Sequence, residues 1–421
     1  MPRSTGFPRT KPRAPRAPRI GLALAGGGPL GAIYEIGALC ALEEALPGID
    51  FNALDGYVGV SAGGFVAAGL ANGMTPRQLC SAFIANDGAR ADIVRPGVFI
   101  RPDVVEYARR AAALPGLVAM AGFRYAFKGR SLLAALEHLG RALPTGLFSH
   151  APLEREIRRL LSAPGRSNDF RRLQAERGRK LVLVATDLDS GETAPFGLPG
   201  WDHVPISEAV AASAALPGLF SPVPIGGHWY VDGALMKTLH ASVLLDMDLD
   251  LVLCLNPLVP FDASHARRHR VLGGAQDRIP RLIDGGLPVV LSQTFRSLIH
   301  SRLELGIKGY RQSHPQTEIV LIEPDHRDPA LFLANTFSYG QRRRLAEHAY
   351  QRTRVDLRSR RGVLGTSLAR LGLALDDAAL DDPLRQLLPR KRPARGGRAA
   401  TALRRLDEVL DDLQRSLEVR R

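Results

Sequence analysis

A serine flanked by glycines stands in the setting of this sequence best suited to nucleophilic chemistry. The segment Tyr57–Gly69 reads YVGVSAGGFVAAG, and Ser61 lies at the centre of a G-x-S-x-G pentapeptide between Gly59 and Gly63. A serine on a sharp strand-to-helix turn projects its hydroxyl beyond the strand, and the glycines leave room for that turn. The same residues also fit a serine that caps a helix N-terminus. Both interpretations stay open on this motif alone.

A glycine-rich loop precedes this serine and offers backbone N–H groups. Gly26–Gly31 reads GGGPLG and lies between an apolar run at 20–25 and a stretch typical of a helix at 32–46. G-x-G-x-x-G also marks dinucleotide sites, which require an acid after the second strand to bind the ribose. Ser61 follows the second predicted strand, so the sequence favours an oxyanion hole, in which N–H groups at a helix N-terminus stabilise a developing negative charge.

The elements that must position these motifs alternate between strands and helices. Apolar runs bounded by turn residues predict strands at 20–25, 57–60, 180–187, 192–196, 250–255 and 318–322, and a hairpin at 222–234 with an aspartate at its exit. Helical stretches lie between them. We therefore expect an α/β fold with a mostly parallel central sheet sandwiched by helices. The apolar segment 95–128 fits either a cap buried over the sheet or a lid that contacts lipid.

Composition excludes several other classes of protein. The chain has 421 residues, of which 45% are hydrophobic, so a large core can form. Cys40, Cys80 and Cys254 are too widely spaced for a zinc site or a disulfide framework, which favours a reducing compartment. The proline-rich basic start is not a secretory signal, and no run of about 18 apolar residues is present. We expect a cytoplasmic protein without a metal or cofactor.

The net charge of +14 is concentrated at the two ends of the chain. Residues 1–19 contain six bases, residues 384–406 contain eight, and neither segment contains an acid, so together they account for the whole net charge. Basic tails either remain solvated and disordered or contact an anionic partner. Because the intervening body is neutral, we expect no nucleic-acid site, and peripheral contact with an anionic membrane is the sharper hypothesis.

Three regions are predicted along the chain. Residues 1–18 form a basic tail rich in proline and arginine, 19–335 form the catalytic domain, and 336–421 form a helical, basic C-terminal extension. Within the extension, a stripe of leucines at three- and four-residue spacing predicts an amphipathic helix: Leu403, Leu406, Leu410, Leu413 and Leu417. This stripe fits packing on the parent domain or a short coil between subunits, and it leaves the oligomeric state open.

The combination and order of three motifs resemble the patatin-like phospholipases. Gly26–Gly31, Gly59–Gly63 and Asp232-Gly233-Ala234 are similar to the glycine loop, the serine elbow and the D-G-G/A motif of that family. The resemblance is closest over residues 20–73 and 180–240. It implies the patatin-like α/β fold and a hydrolase that acts on carboxylic esters of lipids.

The resemblance also implies a serine–aspartate dyad without histidine. Ser61 would be the nucleophile and Asp232 its general base, and a lipid or other apolar ester would be the substrate. The remaining site residues are Gly26, Gly27, Gly28 and Gly31 in the oxyanion hole, Gly59 and Gly63 in the elbow, and Gly233 and Ala234 in the base motif. The family often has a basic residue where this chain has Leu30, and that departure weakens the case for a phospholipid over a neutral ester.

Alternative bases and alternative functions follow from the same sequence. Asp284-Gly285-Gly286 also reads D-G-G, and His228, His240 or another histidine would complete a Ser-His-Asp triad on an α/β-hydrolase fold. A non-catalytic protein that binds lipid or a membrane surface on the same fold is a further alternative. Labelling of Ser61 by an activity probe would distinguish the enzyme from the binding protein.

Overall fold

A central sheet of eight strands organises the chain, and a separate pair of short strands lies outside it. The computed structural model describes residues 16–89, 92–94, 101–128, 140–237, 239–264, 281–332 and 341–388. The strands are β1 (Ile20–Leu24), β2 (Gly56–Val60), β3 (Gly146–Phe148), β4 (Lys180–Asp187), β5 (Thr193–Phe196), β6 (Gly218–Phe220), β7 (Val223–Ile225), β8 (His228–Asp232), β9 (Leu251–Leu255) and β10 (Glu318–Ile322).

The strand order in the large sheet is β10-β9-β1-β2-β4-β8-β7, and β5 also pairs with β4. Strands β10, β9, β1, β2 and β4 are parallel to one another, whereas β5, β7 and β8 are joined by antiparallel pairing. Strands β3 and β6 form the separate pair. The sheet is therefore mostly parallel, with an antiparallel edge formed by the predicted hairpin.

Helices flank this sheet. They are α1 (Gly28–Ala45), α2 (Ala62–Ala71), α3 (Pro76–Leu79), α4 (Val104–Lys128), α5 (Ala151–Leu161), α6 (Phe170–Arg177), α7 (Ile206–Ser213), α8 (Ser242–Leu245), α9 (Gly286–Ser313), α10 (Pro329–Phe332), α11 (Arg342–Ser359), α12 (Arg361–Ala369) and α13 (Asp377–Asp381). A π-helical turn follows α3, and a 3₁₀ turn, Gly233–Leu235, follows β8. The predicted α/β class with a mostly parallel, helix-flanked sheet is confirmed.

The central strands form because their sequences are continuous apolar runs. All five residues of β1, β2 and β9 are buried, as are seven of the eight residues of β4. Strands of a parallel sheet with helices on its faces have no solvent-facing side, so apolar residues replace the alternating pattern of an exposed strand. The strand predicted at 180–187 has the bounds observed for β4. The strand predicted at 20–25 is one residue longer than the observed β1, which ends at Leu24.

Helix α11 packs closely against α1, the helix that the glycine loop begins. A Cβ atom at Gly37 would lie 2.5 Å from the carbonyl oxygen of Ala346, so glycine permits this close approach. Tyr350 donates a hydrogen bond to Glu44 at 2.6 Å. The described chain up to Leu387 groups into one compact unit. The division at residue 335 stays a prediction, and the leucine stripe at 403–417 lies outside the described residues.

Bases at the described ends of the two tails make ion pairs. Arg19 lies 3.3 Å from Asp55, and Arg385 lies 3.1 Å from Glu44. These two bases thus help to attach the ends of the described chain to the sheet and to α1. Residues 1–15 and 389–421, which hold most of the predicted tails, lie outside the described residues.

Helix α4 exposes apolar side chains. Val105 is 80% exposed and Phe123 is 56% exposed. The described part of the segment predicted as a lid or cap is therefore not buried over the sheet, and the cap interpretation is wrong for it. Among the described residues, no helix combines the length and the apolar character needed to cross a membrane.

Candidate active site

Ser61 lies at the sharp turn between β2 and α2. Its backbone has φ 54° and ψ −122°, a conformation that residues other than glycine rarely adopt. Ser61 occupies the N-cap position of α2, yet in the described chain its hydroxyl makes no capping hydrogen bond to that helix. The helix-cap interpretation therefore accounts for the position of Ser61 but not for its side chain, which has a different partner.

The glycines on either side of Ser61 are required by close backbone contacts. A Cβ atom at Gly59 would lie 2.6 Å from the carbonyl oxygen of Gly63. A Cβ atom at Gly63 would lie 2.6 Å from the carbonyl oxygen of Ala25, the residue that follows β1. Any side chain at either position would push the turn away from its neighbours. These contacts give the physical reason for the spacing of the pentapeptide.

The partner of the Ser61 hydroxyl is Asp232, the last residue of β8. Both residues are buried, the Asp232 carboxylate accepts a hydrogen bond from the Ala234 N–H at 2.8 Å, and it interacts with the Ser61 hydroxyl. Burial raises the pKa of Asp232 to about 6, although the interactions with Ala234 and Ser61 favour the charged form. The result is a carboxylate that is ionised at neutral pH and more basic than an exposed aspartate.

Sheet register brings Ser61 and Asp232 to the same edge. Val60 pairs with Val184 on β4, and the next residue of β4, Ala185, pairs with Asp232 on β8. Ser61 and Asp232 thus flank the same point of β4 from opposite sides. Gly233 follows directly, and a Cβ atom there would overlap the Val184 carbonyl group. The glycine after Asp232 therefore allows the 3₁₀ turn to pass against β4.

The glycine loop packs against both members of this pair. A Cβ atom at Gly26 would lie 3.1 Å from the Ser61 Cβ and 3.2 Å from the Ala234 Cβ. Gly27 precedes α1, and Gly28, with φ 59°, is the first residue of that helix. Gly31 lies one turn further on, and its N–H donates to the Gly27 carbonyl at 2.9 Å.

Two N–H groups of this loop are available as donors. Within the described residues, the N–H groups of Gly27 and Gly28 have no hydrogen-bond acceptor. They lie at the N-terminus of α1, where unsatisfied N–H groups carry a partial positive charge. A developing oxyanion is the kind of group that such donors stabilise. Leu30 is buried within α1 and contributes no charge to the loop.

The alternative bases lie elsewhere. Asp284 is in an exposed turn before α9 and pairs with Arg281. His228 is exposed and lies 2.9 Å from Asp187, and His240 is buried near the backbone of Gly233. Within the described ranges, neither histidine and no second D-G-G aspartate contacts Ser61. The structure brings together Ser61, Asp232, Ala234 and the glycine loop, and it leaves these competitors out.

Ser213 is a residue of this site that sequence reasoning missed. Its hydroxyl oxygen accepts the Ser61 N–H at 2.8 Å, and the hydroxyl donates to the Val184 carbonyl at 2.6 Å. Ser213 is the last residue of α7, a helix of small residues, and is completely buried. The signal available in the sequence was a hydroxyl within the otherwise apolar run AVAASAAL.

Glu35 is a second residue that sequence reasoning missed. It lies in α1 one turn after Gly31 and is completely buried, and its two carboxylate oxygens have no hydrogen-bond partner among the described residues. Burial raises the pKa of Glu35 well above its usual range. An acid within the apolar run of α1 was the available signal.

The chain belongs to the patatin-like phospholipase family. The family model with that description matches residues 22–245, more than half of the chain, and this range contains the glycine loop, Ser61 and Asp232. The resemblance inferred from the sequence motifs is therefore confirmed. At the level of the family, the match supports lipid acyl hydrolysis.

Solved structures of two bacterial proteins are similar to this chain. VipD from Legionella pneumophila is 17% identical, with 82% of this chain and 67% of VipD covered and a TM-score of 0.36. The type III effector ExoU is 16% identical, with 82% of this chain and 54% of ExoU covered and a TM-score of 0.32. ExoU belongs to the type III secretion system of Pseudomonas aeruginosa. This chain thus spans about two thirds of VipD and about half of ExoU.

Proposed function

We propose that this protein hydrolyses carboxylic esters of lipids, with Ser61 as the nucleophile and Asp232 as the general base. The observation that carries the proposal is the placement of Ser61 and the buried Asp232 carboxylate on either side of the same point of β4, where the two side chains interact. A serine hydroxyl is a weak nucleophile until a base within hydrogen-bond reach accepts its proton. Asp232 is such a base, and family membership supplies the class of reaction.

The first half of the reaction transfers the acyl group to Ser61. The Ser61 Oγ attacks the ester carbonyl carbon while its proton passes to Asp232. The carbonyl oxygen becomes an oxyanion, which the N–H groups of Gly27 and Gly28 stabilise. When the intermediate collapses, the bond to the alcohol oxygen breaks and Asp232 returns the proton to that oxygen. An acyl-serine and a free alcohol result.

The second half releases the acid. A water molecule attacks the acyl-serine carbonyl carbon while Asp232 accepts one of its protons, and a second oxyanion forms at the same N–H groups. The bond to the Ser61 Oγ then breaks, and Asp232 returns the proton to that oxygen. A base with a pKa of about 6 suits both proton transfers, because it is ionised at pH 7 and more basic than an exposed aspartate.

Esters of neutral lipids are the substrates that we propose first. Leu30 occupies a loop position that is often basic in the family and is buried in α1. No cation on the loop therefore attracts a phosphate group to the oxyanion hole. Leu216 and Met236, which lie on either side of the base motif along the chain, are 41% and 40% exposed and present apolar surface suited to an acyl chain.

A fluorophosphonate probe tests the proposal, because it labels activated serines covalently. Wild-type protein should be labelled and should hydrolyse a water-soluble p-nitrophenyl ester. Ser61→Ala and Asp232→Asn should lose turnover by about 10²–10⁴-fold or more while keeping the fold. Ser190→Ala, in an exposed turn after β4, is the matched control and should behave like wild type.

Two results would contradict the assignment. Labelling of a serine other than Ser61 would move the nucleophile, and wild-type turnover by a folded Asp232→Asn variant would remove Asp232 as the base. Folded wild-type protein that binds lipid but is neither labelled nor active would instead favour the non-catalytic lipid-binding function.

A further inference from the structure

Helix α9 carries large apolar side chains on two opposite faces. Its inner face packs into the core through Leu303 and Ile307, which are both buried, and Tyr310 packs beside them. Its outer face exposes a row at spacings of four, four, three and seven residues, which places the row on one side of a helix. We call this row the outer stripe: Leu287, Leu291, Phe295, Leu298 and Leu305.

The side chains of the outer stripe are exposed and do not take part in the hydrophobic core. Its five side chains are between 44% and 69% exposed. A helix packed on one side of a globular protein usually carries polar residues on its outer face, since exposed apolar surface gains no burial free energy. A row of this kind on a helix of 28 residues therefore indicates a surface that receives an apolar partner.

Charge distinguishes between the partners that would suit this surface. Residues 286–313 contain four bases and one acid, Glu304. Arg302 and Lys308 are exposed, with Arg302 between Leu298 and Leu305 on the same face and Lys308 one turn after Leu305. A second copy of the chain would bring two helices of the same positive sign together. Anionic lipid offers phosphates to the bases and hydrocarbon to the stripe, which is the pattern of interfacial helices.

The outer stripe also lies beside the candidate active site. Arg302 donates from Nη1 to the Leu235 carbonyl oxygen at 3.2 Å, and Leu235 ends the 3₁₀ turn that follows Asp232. Met236, the next residue, is exposed. On the other side of Asp232, the N–H of Asp232 donates to the carbonyl of Ala215 at 3.0 Å, and the exposed Leu216 follows. Exposed apolar residues therefore lie both on the outer stripe and next to the residues that contact Leu235 and Asp232.

We propose that the outer stripe of α9 docks the protein on an anionic lipid surface and holds the Ser61–Asp232 site against that surface. The inference rests on the proposed function, because an enzyme that takes its substrate from a lipid layer gains from a docking face beside its site. It assigns membrane contact to apolar side chains of the catalytic region rather than to the basic tails alone.

Vesicle co-sedimentation of the full-length protein tests the docking face without interference from turnover. Binding is measured with Ser61→Ala protein on phosphatidylcholine vesicles with and without phosphatidylserine, across a salt series. Leu291→Gln/Leu298→Gln in this background should weaken binding to the anionic vesicles by about 10-fold or more, since two half-buried leucine side chains are lost from the lipid. Phe295→Gln is a second, independent variant of the same stripe.

The matched control is Val363→Gln/Leu384→Gln, which removes two side chains that are 75% and 83% exposed in the C-terminal helical region. This control should bind vesicles like the parent. Unchanged binding of the stripe variants would assign docking to the basic tails and overturn the proposal. So would wild-type protein that sediments as a dimer and stripe variants that sediment as monomers, because the stripe would then be a subunit interface.

Hydrolysis of a soluble ester by protein with Ser61 intact separates this inference from the proposed function. Stripe variants that hydrolyse the soluble ester at the wild-type rate but bind vesicles weakly support both. Protein that hydrolyses no ester, yet still needs the stripe to bind vesicles, would remove the proposed function and support the docking face.

Discussion

The Ser213 hydroxyl oxygen accepts the backbone N–H of Ser61 at 2.8 Å. The same hydroxyl donates to the Val184 carbonyl on β4 at 2.6 Å, so one side chain connects the elbow to the strand that separates β2 from β8. Because the backbone of Ser61 adopts an unfavourable conformation, its position depends on such fixed partners. Ser213 therefore acts through the backbone on the geometry of Ser61, the proposed nucleophile.

Removal of the Ser213 hydroxyl should weaken both stability and turnover. Ser213→Ala leaves the buried Ser61 N–H without its partner, which costs about 1–3 kcal/mol of unfolding free energy. It should also lower kcat on a soluble ester more than it changes KM, since the elbow loses a restraint. Chemical denaturation and steady-state kinetics measure the two effects, and Ser292→Ala, at an exposed position of α9, serves as the control. Wild-type values for both quantities would rule out this role.

The pH dependence of hydrolysis should report the ionisation of Asp232. Burial raises the pKa of Asp232 to about 6, and only the ionised carboxylate can accept the Ser61 proton. We expect kcat/KM to rise with pH through about 6 and to level off above it, with a decrease of about tenfold per pH unit below. Rates on a soluble ester from about pH 4.5 to about 9 provide the measurement, because this range covers both sides of the pKa of Asp232. A flat profile through pH 6 would disagree with a general base of this pKa.

Substitutions in the glycine loop should separate steric overlap from backbone strain. A Cβ atom at Gly27 would lie 2.8 Å from both Gly31 Cα and Pro257 Cγ, whereas one at Gly28 would meet open space but at φ 59°. We expect Gly27→Ala to lower kcat by about 10²-fold or more and Gly28→Ala to lower it less, with small effects on KM, because the oxyanion exists only near the transition state.

The control for these loop variants is Gly362→Ala, an exposed glycine in α12 with open space around its Cα. It should leave kcat unchanged and add about 1 kcal/mol to stability. If either loop variant instead lost binding of NAD or FAD in a direct titration, the result would support the dinucleotide-site interpretation of the loop.

The buried Glu35 should make stability fall as pH rises. Burial raises the pKa of Glu35 in the folded protein above the usual 4.5, so the folded state holds a proton that the unfolded state releases. The associated stability is fully present below pH 4.5 and is lost as pH increases through the folded-state pKa. Glu35→Gln keeps the shape without the ionisation. Its unfolding free energy relative to wild type should therefore increase as pH rises above 4.5.

Denaturant unfolding of wild type, Glu35→Gln and the exposed-site control Glu192→Gln at a series of pH values makes this comparison. The control should follow wild type at every pH. A Glu35→Gln protein that loses stability relative to wild type as pH rises would mean that the carboxylate has a partner that stabilises its charged form.

The sequence by itself determined the local geometry of the elbow and the loop. Gly59, Ser61 and Gly63 could be interpreted without a fold, because the close contacts that demand glycine lie within or beside one strand-to-helix turn. The strands were predicted well for a similar reason, since a buried parallel strand needs an uninterrupted apolar run. Asp232 was identified as a partner only through the resemblance to a family, because nothing local connects it to Ser61.

Only the tertiary structure decided which distant groups meet. The order β2-β4-β8 places Asp232 beside Ser61, and the position of α7 brings Ser213 to the same backbone. Burial of Glu35 and exposure of the outer stripe depend on how α1 and α9 pack. Both helices are rich in apolar residues, so their sequences do not show which of these residues are covered. Spacing along a chain determines which side of a helix a residue lies on, but the packing of other elements determines which side is covered.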